Sequence, residues 1–421
     1  MHPVQARLLS HQPTHNPSVP PKILNRSRLN GGDGTRLNGN GNGKPGSASG
    51  KGTEFLIREA LKKHATPIML IEREDLTRQF TRFQRSLLNV TPFYAIKANP
   101  NPDIVKHFVK LGTGFDVASG NEMGEVLRLG AKPDQIIFAN TIKSVPDIQL
   151  AHKSRVKMMT FDNESELYKI AKYAPGSHVL VRIKVINMGS QVELSLKFGA
   201  DPDQAVFFLQ KAKALGLKPV GISFHVGSQC RMPESYLDAL RVTSKLFDQA
   251  EDEGLHLTLL DIGGGFPIKH FDREEGPTFE DIARDIKKHL QQLFDLKKVH
   301  LIAEPGRFLV GPAGTLITQV VGRTFRNNRN YYYLNDGVYA DFSGIVFDNC
   351  KYELKTLRRG QKFLSTVAGP TCDSLDVISQ SEELPELDVG NVVYVKNIGA
   401  YSSASAVPCF NGFTPAKTII V

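Results

Sequence analysis

Residues 115–139 read FDVASGNEMGEVLRLGAKPDQIIFA. The stretch opens on a short apolar run, Phe115–Ala118, and closes on another, Ile136–Ala139. Between them, Asn121–Leu129 carries apolar residues at helical spacing. Strand, helix and strand in that order make one β-α unit, and a series of such units predicts a parallel sheet.

Working outward, the unit recurs. Strand-like runs fall at Phe93–Ile96, Lys157–Phe161, His178–Val185, Pro219–His225, Thr258–Ile262 and His300–Ala303, which brings the number to eight. Tyr236–Glu253 is a second clear helical stretch. Eight units in about 220 residues predict a (β/α)₈ barrel over residues 75–308. A doubly wound open sheet is the structural alternative. Beyond Arg307 the pattern changes to short runs separated by turns: Leu316–Arg323, Tyr331–Leu334, Gly344–Phe347, Val392–Val395 and Thr418–Val421. They predict an antiparallel β domain over residues 309–421, and residues 53–74 read as an N-terminal segment joining it.

Residues 1–52 read as a Gly/Asn-rich flexible tail, too poor in apolar side chains to offset chain entropy. The tail has Arg7, Lys22, Arg26, Arg28, Arg36, Lys44 and Lys51 against Asp33 alone, and so holds +6 of the net charge of +9. Its basic, Ser-containing composition is also compatible with an organellar transit peptide. With the charge excess in the tail, the body shows no basic stripe of the kind that binds nucleic acid. No apolar run approaches the length of a membrane span. Cys230, Cys350, Cys372 and Cys409 are scattered, which fits reduced thiols in a cytoplasmic protein and supports no metal site.

Catalytic residues of a barrel gather at the C-terminal ends of its strands. Here the strands end at or run into Lys97, Asp116, Arg182, His225 with Ser228, Gly263-Gly264-Gly265, and Glu304-Pro-Gly-Arg307. Three glycines let backbone N–H groups close on a phosphate, and Arg307 adds a forked charged contact. A buried lysine is expected to have a depressed pKa, and a neutral amine condenses with an aldehyde. Lysine, phosphate cradle and buried carboxylate together point to pyridoxal phosphate.

With these residues in view, the sequence resembles the fold-type III pyridoxal-phosphate decarboxylases, specifically the ornithine/lysine group. The resemblance spans about residues 54–421. It is carried by Pro92-Phe-Tyr-Ala-Ile-Lys97-Ala-Asn-Pro100, Gly114-Phe-Asp-Val-Ala-Ser119, Ser223-Phe-His-Val-Gly-Ser228 and Asp261-Ile-Gly-Gly-Gly-Phe-Pro267. It continues through Ala303-Glu-Pro-Gly-Arg307, Asn335-Asp-Gly-Val-Tyr339, Gly369-Pro-Thr-Cys-Asp373 and Asn397-Ile-Gly-Ala-Tyr401.

The resemblance implies an alanine-racemase-like barrel followed by a β domain, and a homodimer with active sites shared across the interface. It implies that Lys97 bonds the cofactor covalently, Glu304 partners the pyridine nitrogen, Asp116 supports cofactor and lysine, and His225 stacks on the ring. Ser228, Gly263, Gly264, Gly265, Arg307 and Tyr401 would hold the phosphate, with Arg182 nearby. Cys372 and Asp373 would come from the second subunit, the first protonating the carbanion and the second meeting the substrate's distal ammonium. Asp348 resembles the second carboxylate for that ammonium, Tyr339 is grouped with the substrate contacts, and Lys197 and Asp376 match a pair that bridges subunits. The implied activity is decarboxylation of ornithine to putrescine in polyamine biosynthesis, or of lysine to cadaverine.

Two departures bear on the substrate. The family often has Tyr-Asp-His where this chain has Phe347-Asp348-Asn349, and one extra residue precedes Phe410. Competing readings are a diaminopimelate or arginine decarboxylase, a non-catalytic regulatory relative, and a racemase. Two carboxylates facing one cation suit a diamino acid, and the distal carboxylate of diaminopimelate would be repelled by Asp348 and Asp373.

Overall fold

The computed structural model describes residues 52–186, 188–191 and 197–421; the expected tail lies outside them except for Gly52. After a helix over Thr53–Leu61, the chain forms β1 (Ile68–Ile71), four consecutive buried apolar residues. Then come β2 (Val90–Ala95), β3 (Gly114–Val117), β4 (Ile136–Phe138), β5 (Met158–Phe161), β6 (His178–Arg182), β7 (Lys218–Ser223), β8 (Leu259–Asp261) and β9 (His300–Ala303). These eight are parallel, and β2 pairs with both β3 and β9, so the barrel closes. The open sheet is thereby excluded.

Local chemistry sets the helix between β3 and β4. Ser119 Oγ accepts from the Glu122 N–H at 3.2 Å, and Glu122 Oε2 accepts from the Ala118 N–H at 2.6 Å. Two N-terminal N–H groups are thus satisfied where the helix over Gly120–Arg128 starts.

Strand side chains alternate between two faces. Phe93, Ile137, Leu180 and Ile302 cluster inside the barrel. Their neighbours Tyr94, Ile136, Phe138, Val179, Val181 and Ala303 join the cluster under the helices. The same period decides where the polar residues go. Phe115 and Val117 pack outward, so Asp116 points in; Leu260 packs outward, so Asp261 points in. By the same count Arg182, His225 and Glu304 face the barrel mouth.

The second sheet comprises β1, β10 (Gly314–Arg326), β11 (Arg329–Leu334), β12 (Lys355–Thr356), β13 (Lys362–Ala368), β14 (Val377–Pro385), β15 (Val392–Lys396) and β16 (Lys417–Ile420). Its order is β12-β15-β10-β11-β13-β14, with β1 linking β10 to β16. The β domain follows the barrel as expected, but two of its pairings, β1–β16 and β11–β13, are parallel, so the sheet is mixed rather than antiparallel throughout. The tight turn between β10 and β11 rests on Asn327 and Asn328, with φ of 53° and 57°, the handedness that matches strand twist.

One expected strand is a helix. Gly344–Phe347 forms a single turn, closed by Phe347 N–H donating to the Ser343 carbonyl at 3.0 Å and Asp348 N–H to that of Gly344 at 3.0 Å. A four-residue apolar run does not distinguish the two states by periodicity. The buried Ser343 hydroxyl, donating to the Ser402 carbonyl at 2.9 Å, anchors the turn beside Tyr401.

Asp336 and Asp341, both buried, face one another at the start of this region; the Asp341 N–H donates to Asp336 Oδ1 at 2.9 Å. Desolvation first, and then mutual repulsion, raises Asp336 well above the aspartate range; desolvation raises Asp341 as well. A carboxyl raised on folding contributes stability at low pH that is lost as pH climbs through the folded pKa. Asp336→Asn keeps an acceptor for that N–H and supplies a fixed donor in place of the proton. Its melting temperature is therefore expected to fall less steeply than wild type as pH rises above about 4. Parallel slopes in a pH series of thermal melts would contradict this. Among the described residues, no helix is long and apolar enough to cross a membrane.

Candidate active site

A cavity of about 180 Å³ opens at the C-terminal end of the barrel. Lys97, His225, Ser228, Gly265, Glu304, Arg307, Asp348 and Tyr401 line it. Gln229, just past Ser228, lines it too and is not singled out in the sequence; Phe266 and Gly306 also line it and lie inside the Asp261–Pro267 and Ala303–Arg307 segments quoted above. A larger cavity, about 240 Å³, lies between Arg82, Arg231 and Pro267. Its two arginines are already paired, Arg82 with Glu280 at 2.6 Å and Arg231 with Glu274, and its lining brings together none of the strand-end residues Lys97, Asp116, His225 and Glu304.

Lys97 sits in a 3₁₀ turn just past β2, and its ammonium pairs with Asp116 on β3. The register makes this contact: Ala95 stands opposite Asp116 across the two strands. The depressed pKa expected for Lys97 is not what the structure gives. Desolvation pulls it down, but Asp116, Tyr401 and Glu304 together push it up further, so its pKa is raised. The amine is stored as an ammonium, 43% exposed because it opens into the cavity, on a carboxylate only 1% exposed.

Behind this pair lies a nest of buried carboxyls. Glu304 Oε1 and Asp116 Oδ1 are buried without a hydrogen-bond partner. Desolvation first, then Asp116 and Asp261, raises Glu304 well above the glutamate range. Asp261 is raised as well, chiefly by desolvation. The two lie beside one another, within side-chain hydrogen-bonding reach. Asp261 also accepts from the Gly263 N–H at 2.9 Å, which ties the nest to the glycine turn. Sequence reading missed Asp261 as a functional residue, although it opens the Asp261-Ile-Gly-Gly-Gly segment.

His225 is held neutral, its pKa pushed well down by desolvation and then by Arg182 and Lys97. Its Nδ1 accepts from the Gly227 N–H at 3.0 Å, which places the ring proton on Nε2. The glycine turn leaves no room for side chains. A Cβ on Gly264 would meet the Glu304 carbonyl at 2.7 Å and His225 Nε2 at 3.0 Å, and one on Gly265 would meet the Gly227 carbonyl at 2.3 Å. Arg307 follows β9, stacks its guanidinium over Tyr401 at 4.7 Å, and reaches Ser228 Oγ at 3.4 Å and Asp348. Arg182, at the end of β6, lies over the Phe198 ring at 5.5 Å.

The remaining residues lie elsewhere. Neither Cys372 nor Asp373 lines the Lys97 cavity. Cys372 is exposed between β13 and β14, its N–H donating to Asn411 Oδ1 at 3.0 Å. Asp373 accepts from the Tyr339 hydroxyl, and the Tyr339 ring stacks on Phe410 at 4.1 Å. Asp376 is buried, taking N–H groups of Val338 at 2.8 Å and Thr371 at 3.0 Å, while Lys197 lies over Phe198 at 4.8 Å.

An amine nucleophile, a buried carboxyl and a guanidinium around one cavity agree with what the comparisons show. The sequence pattern described as pyridoxal-dependent decarboxylase, pyridoxal binding domain, matches residues 73–311, and that span holds all of the barrel. The chain belongs to the pyridoxal-dependent decarboxylases. Within this family it is 40% identical to the lysine/ornithine decarboxylase of Selenomonas ruminantium, over 87% of this chain and 93% of that one. It is 39% identical to the ornithine decarboxylase of Schizosaccharomyces pombe, over 81% and 80%. The lysine/ornithine decarboxylase of Vibrio vulnificus, solved with cadaverine, superposes with a TM-score of 0.82 at 35% identity, over 88% of this chain and 99% of that one.

The decarboxylase cofactor, pyridoxal phosphate, fits the groups present. Its aldehyde needs an amine, its ring nitrogen a carboxyl, and its phosphate a cation beside small backbone. The cavity has Lys97, the unpartnered Glu304 oxygen, and Arg307 beside Gly265 and Gly306.

Proposed function

We propose that this decarboxylase converts L-ornithine to putrescine and carbon dioxide, and L-lysine to cadaverine in the same cavity. The observation that carries the substrate class is Asp348: a carboxylate stands in the cavity that holds the amine nucleophile. A buried carboxylate penalises a neutral or acidic side chain and rewards a distal ammonium. The named relatives act on ornithine and lysine, which supports the reading.

When bound, the cofactor supplies a protonated ring that takes up the electron pair left by the departing carboxylate. The chain's own residues do the rest. Lys97 is the amine for the aldehyde. Asp116 holds it as an ammonium until it is needed, which keeps a proton at Nζ. Glu304, raised by its buried surroundings, would hold a proton for the ring nitrogen, and neutral His225 would support the ring without adding charge. Arg307, Ser228, Tyr401 and Gly263, Gly264 and Gly265 hold the phosphate, with Arg182 balancing the acidic nest.

Cys372 and Asp373 act from a second copy of the chain, Cys372 holding the proton for the substrate Cα and Asp373 meeting the ammonium. Their absence from their own chain's cavity supports a shared site. Purified protein with pyridoxal phosphate and carboxyl-labelled ornithine is expected to release carbon dioxide and putrescine in equal amounts. Label retained in an intact amino acid would oppose the reading. Mixing inactive Lys97→Ala with inactive Cys372→Ala is expected to restore about a quarter of wild-type activity, since half of a random mixture is hybrid and each hybrid has one intact site. A mixture as inactive as its parents would place both residues in one chain's site.

A further inference from the structure

Among the described residues that line the cavity, Arg307 is the one guanidinium, and a carboxylate already holds it. Asp348 accepts from Arg307 Nη2, with the two side chains 18% and 5% exposed. The other contacts of the guanidinium are neutral: Ser228 Oγ at 3.4 Å, Cys350 Sγ at 3.8 Å and the Tyr401 ring. Its Nε is buried without a partner. The pair joins the two halves of the chain. Arg307 follows the last barrel strand, whereas Asp348 ends the single helical turn of the β domain.

The proposed function gives Arg307 to the cofactor phosphate and Asp348 to the substrate ammonium. Resting on that reading, we infer that Asp348 is a two-seat carboxylate. It neutralises Arg307 while the phosphate seat is open, and it turns to the ammonium once phosphate takes the guanidinium. A phosphate and a carboxylate crowded on one nearly buried cation repel each other, so each phosphate that enters must displace Asp348. A cation at Asp348 removes that cost. Linkage then makes the effect mutual: the distal ammonium strengthens cofactor binding, and the phosphate strengthens ammonium binding. One side chain thereby sets substrate class and couples it to cofactor retention.

The test is equilibrium binding to the full-length protein stripped of cofactor, followed by cofactor absorbance, with pyridoxal phosphate and with pyridoxal, which lacks the phosphate. Asp348→Asn is expected to bind pyridoxal phosphate about tenfold tighter than wild type, within the range usual for coupled sites, and pyridoxal equally well. Inorganic phosphate is expected to compete better against the variant by the same factor. Putrescine is expected to tighten pyridoxal phosphate binding in wild type and to do nothing in Asp348→Asn. Unchanged or weaker binding of pyridoxal phosphate to the variant, with pyridoxal binding intact, overturns the inference. Pyridoxal binding also reports folding, and Asp348→Ser replaces the amide if that binding is lost. Arg307→Gln separates the two levels. If it weakens pyridoxal phosphate but not pyridoxal, the phosphate seat stands, and a null result for Asp348→Asn then rejects the coupling alone.

Discussion

Lys97→Ala is expected to lose turnover by about 10³-fold or more, because one group serves both as covalent amine and as proton carrier. The structure gives this loss a particular form. Lys97 is held as an ammonium by Asp116, so removing it leaves an uncompensated carboxylate, 1% exposed, beside Glu304. The variant is expected to retain pyridoxal phosphate through Arg307 and the glycine turn, but without the absorbance of a lysine-linked cofactor. Single-turnover assays with ornithine, read beside that spectrum, check both halves. Activity within tenfold of wild type would remove Lys97 from the chemistry.

Glu304→Gln is expected to lower kcat by about 10²–10⁴-fold while binding of the phosphate end is preserved, since an amide cannot hold or release the ring-nitrogen proton. Glu304 is raised by desolvation and by two carboxyl neighbours, Asp116 and Asp261, and so is proton-loaded before the cofactor arrives. The amide is close in shape, and packing is expected to survive. The check is kcat together with the spectrum of the bound cofactor; an unchanged kcat would mean that the ring needs no carboxyl partner here.

How much of this was legible in the sequence depends on the range of each interaction. The barrel was, because each parallel strand is buried on both faces and reads as an apolar run between helices. Strands β13 and β14 were not: β14 ends the strand order and exposes Gln380, Ser381 and Glu383, while Ser365 and Thr366 of β13 are buried polar residues whose hydroxyls donate to the Phe363 and Gln380 carbonyls, so neither strand reads as an apolar run. The helical turn at Gly344–Phe347 is too short for its sequence to distinguish it from a strand. In the site, strand-end position was enough to pick out Lys97, Asp116, His225, Glu304 and Arg307. Their protonation was not readable that way. The raised pKa of Lys97 depends on the register that sets Ala95 opposite Asp116, and the acidic nest on Asp261 facing Glu304. The Arg307–Asp348 pair joins residues 41 positions apart in two different domains, and no local pattern announces it.

The Lys97 cavity, with Asp348 in its lining, is expected to select an amino acid with a distal cation. The most direct measurement is a competition assay with equimolar ornithine, lysine, arginine and diaminopimelate, quantifying each amine released by the protein with pyridoxal phosphate. Putrescine is expected in excess, with cadaverine second. One methylene separates ornithine from lysine and is worth about 1–3 kcal/mol in a pocket, so the two products are expected within about 200-fold of each other. Release of lysine from diaminopimelate as the main product, or no amine from any of the four with the cofactor bound, would contradict it.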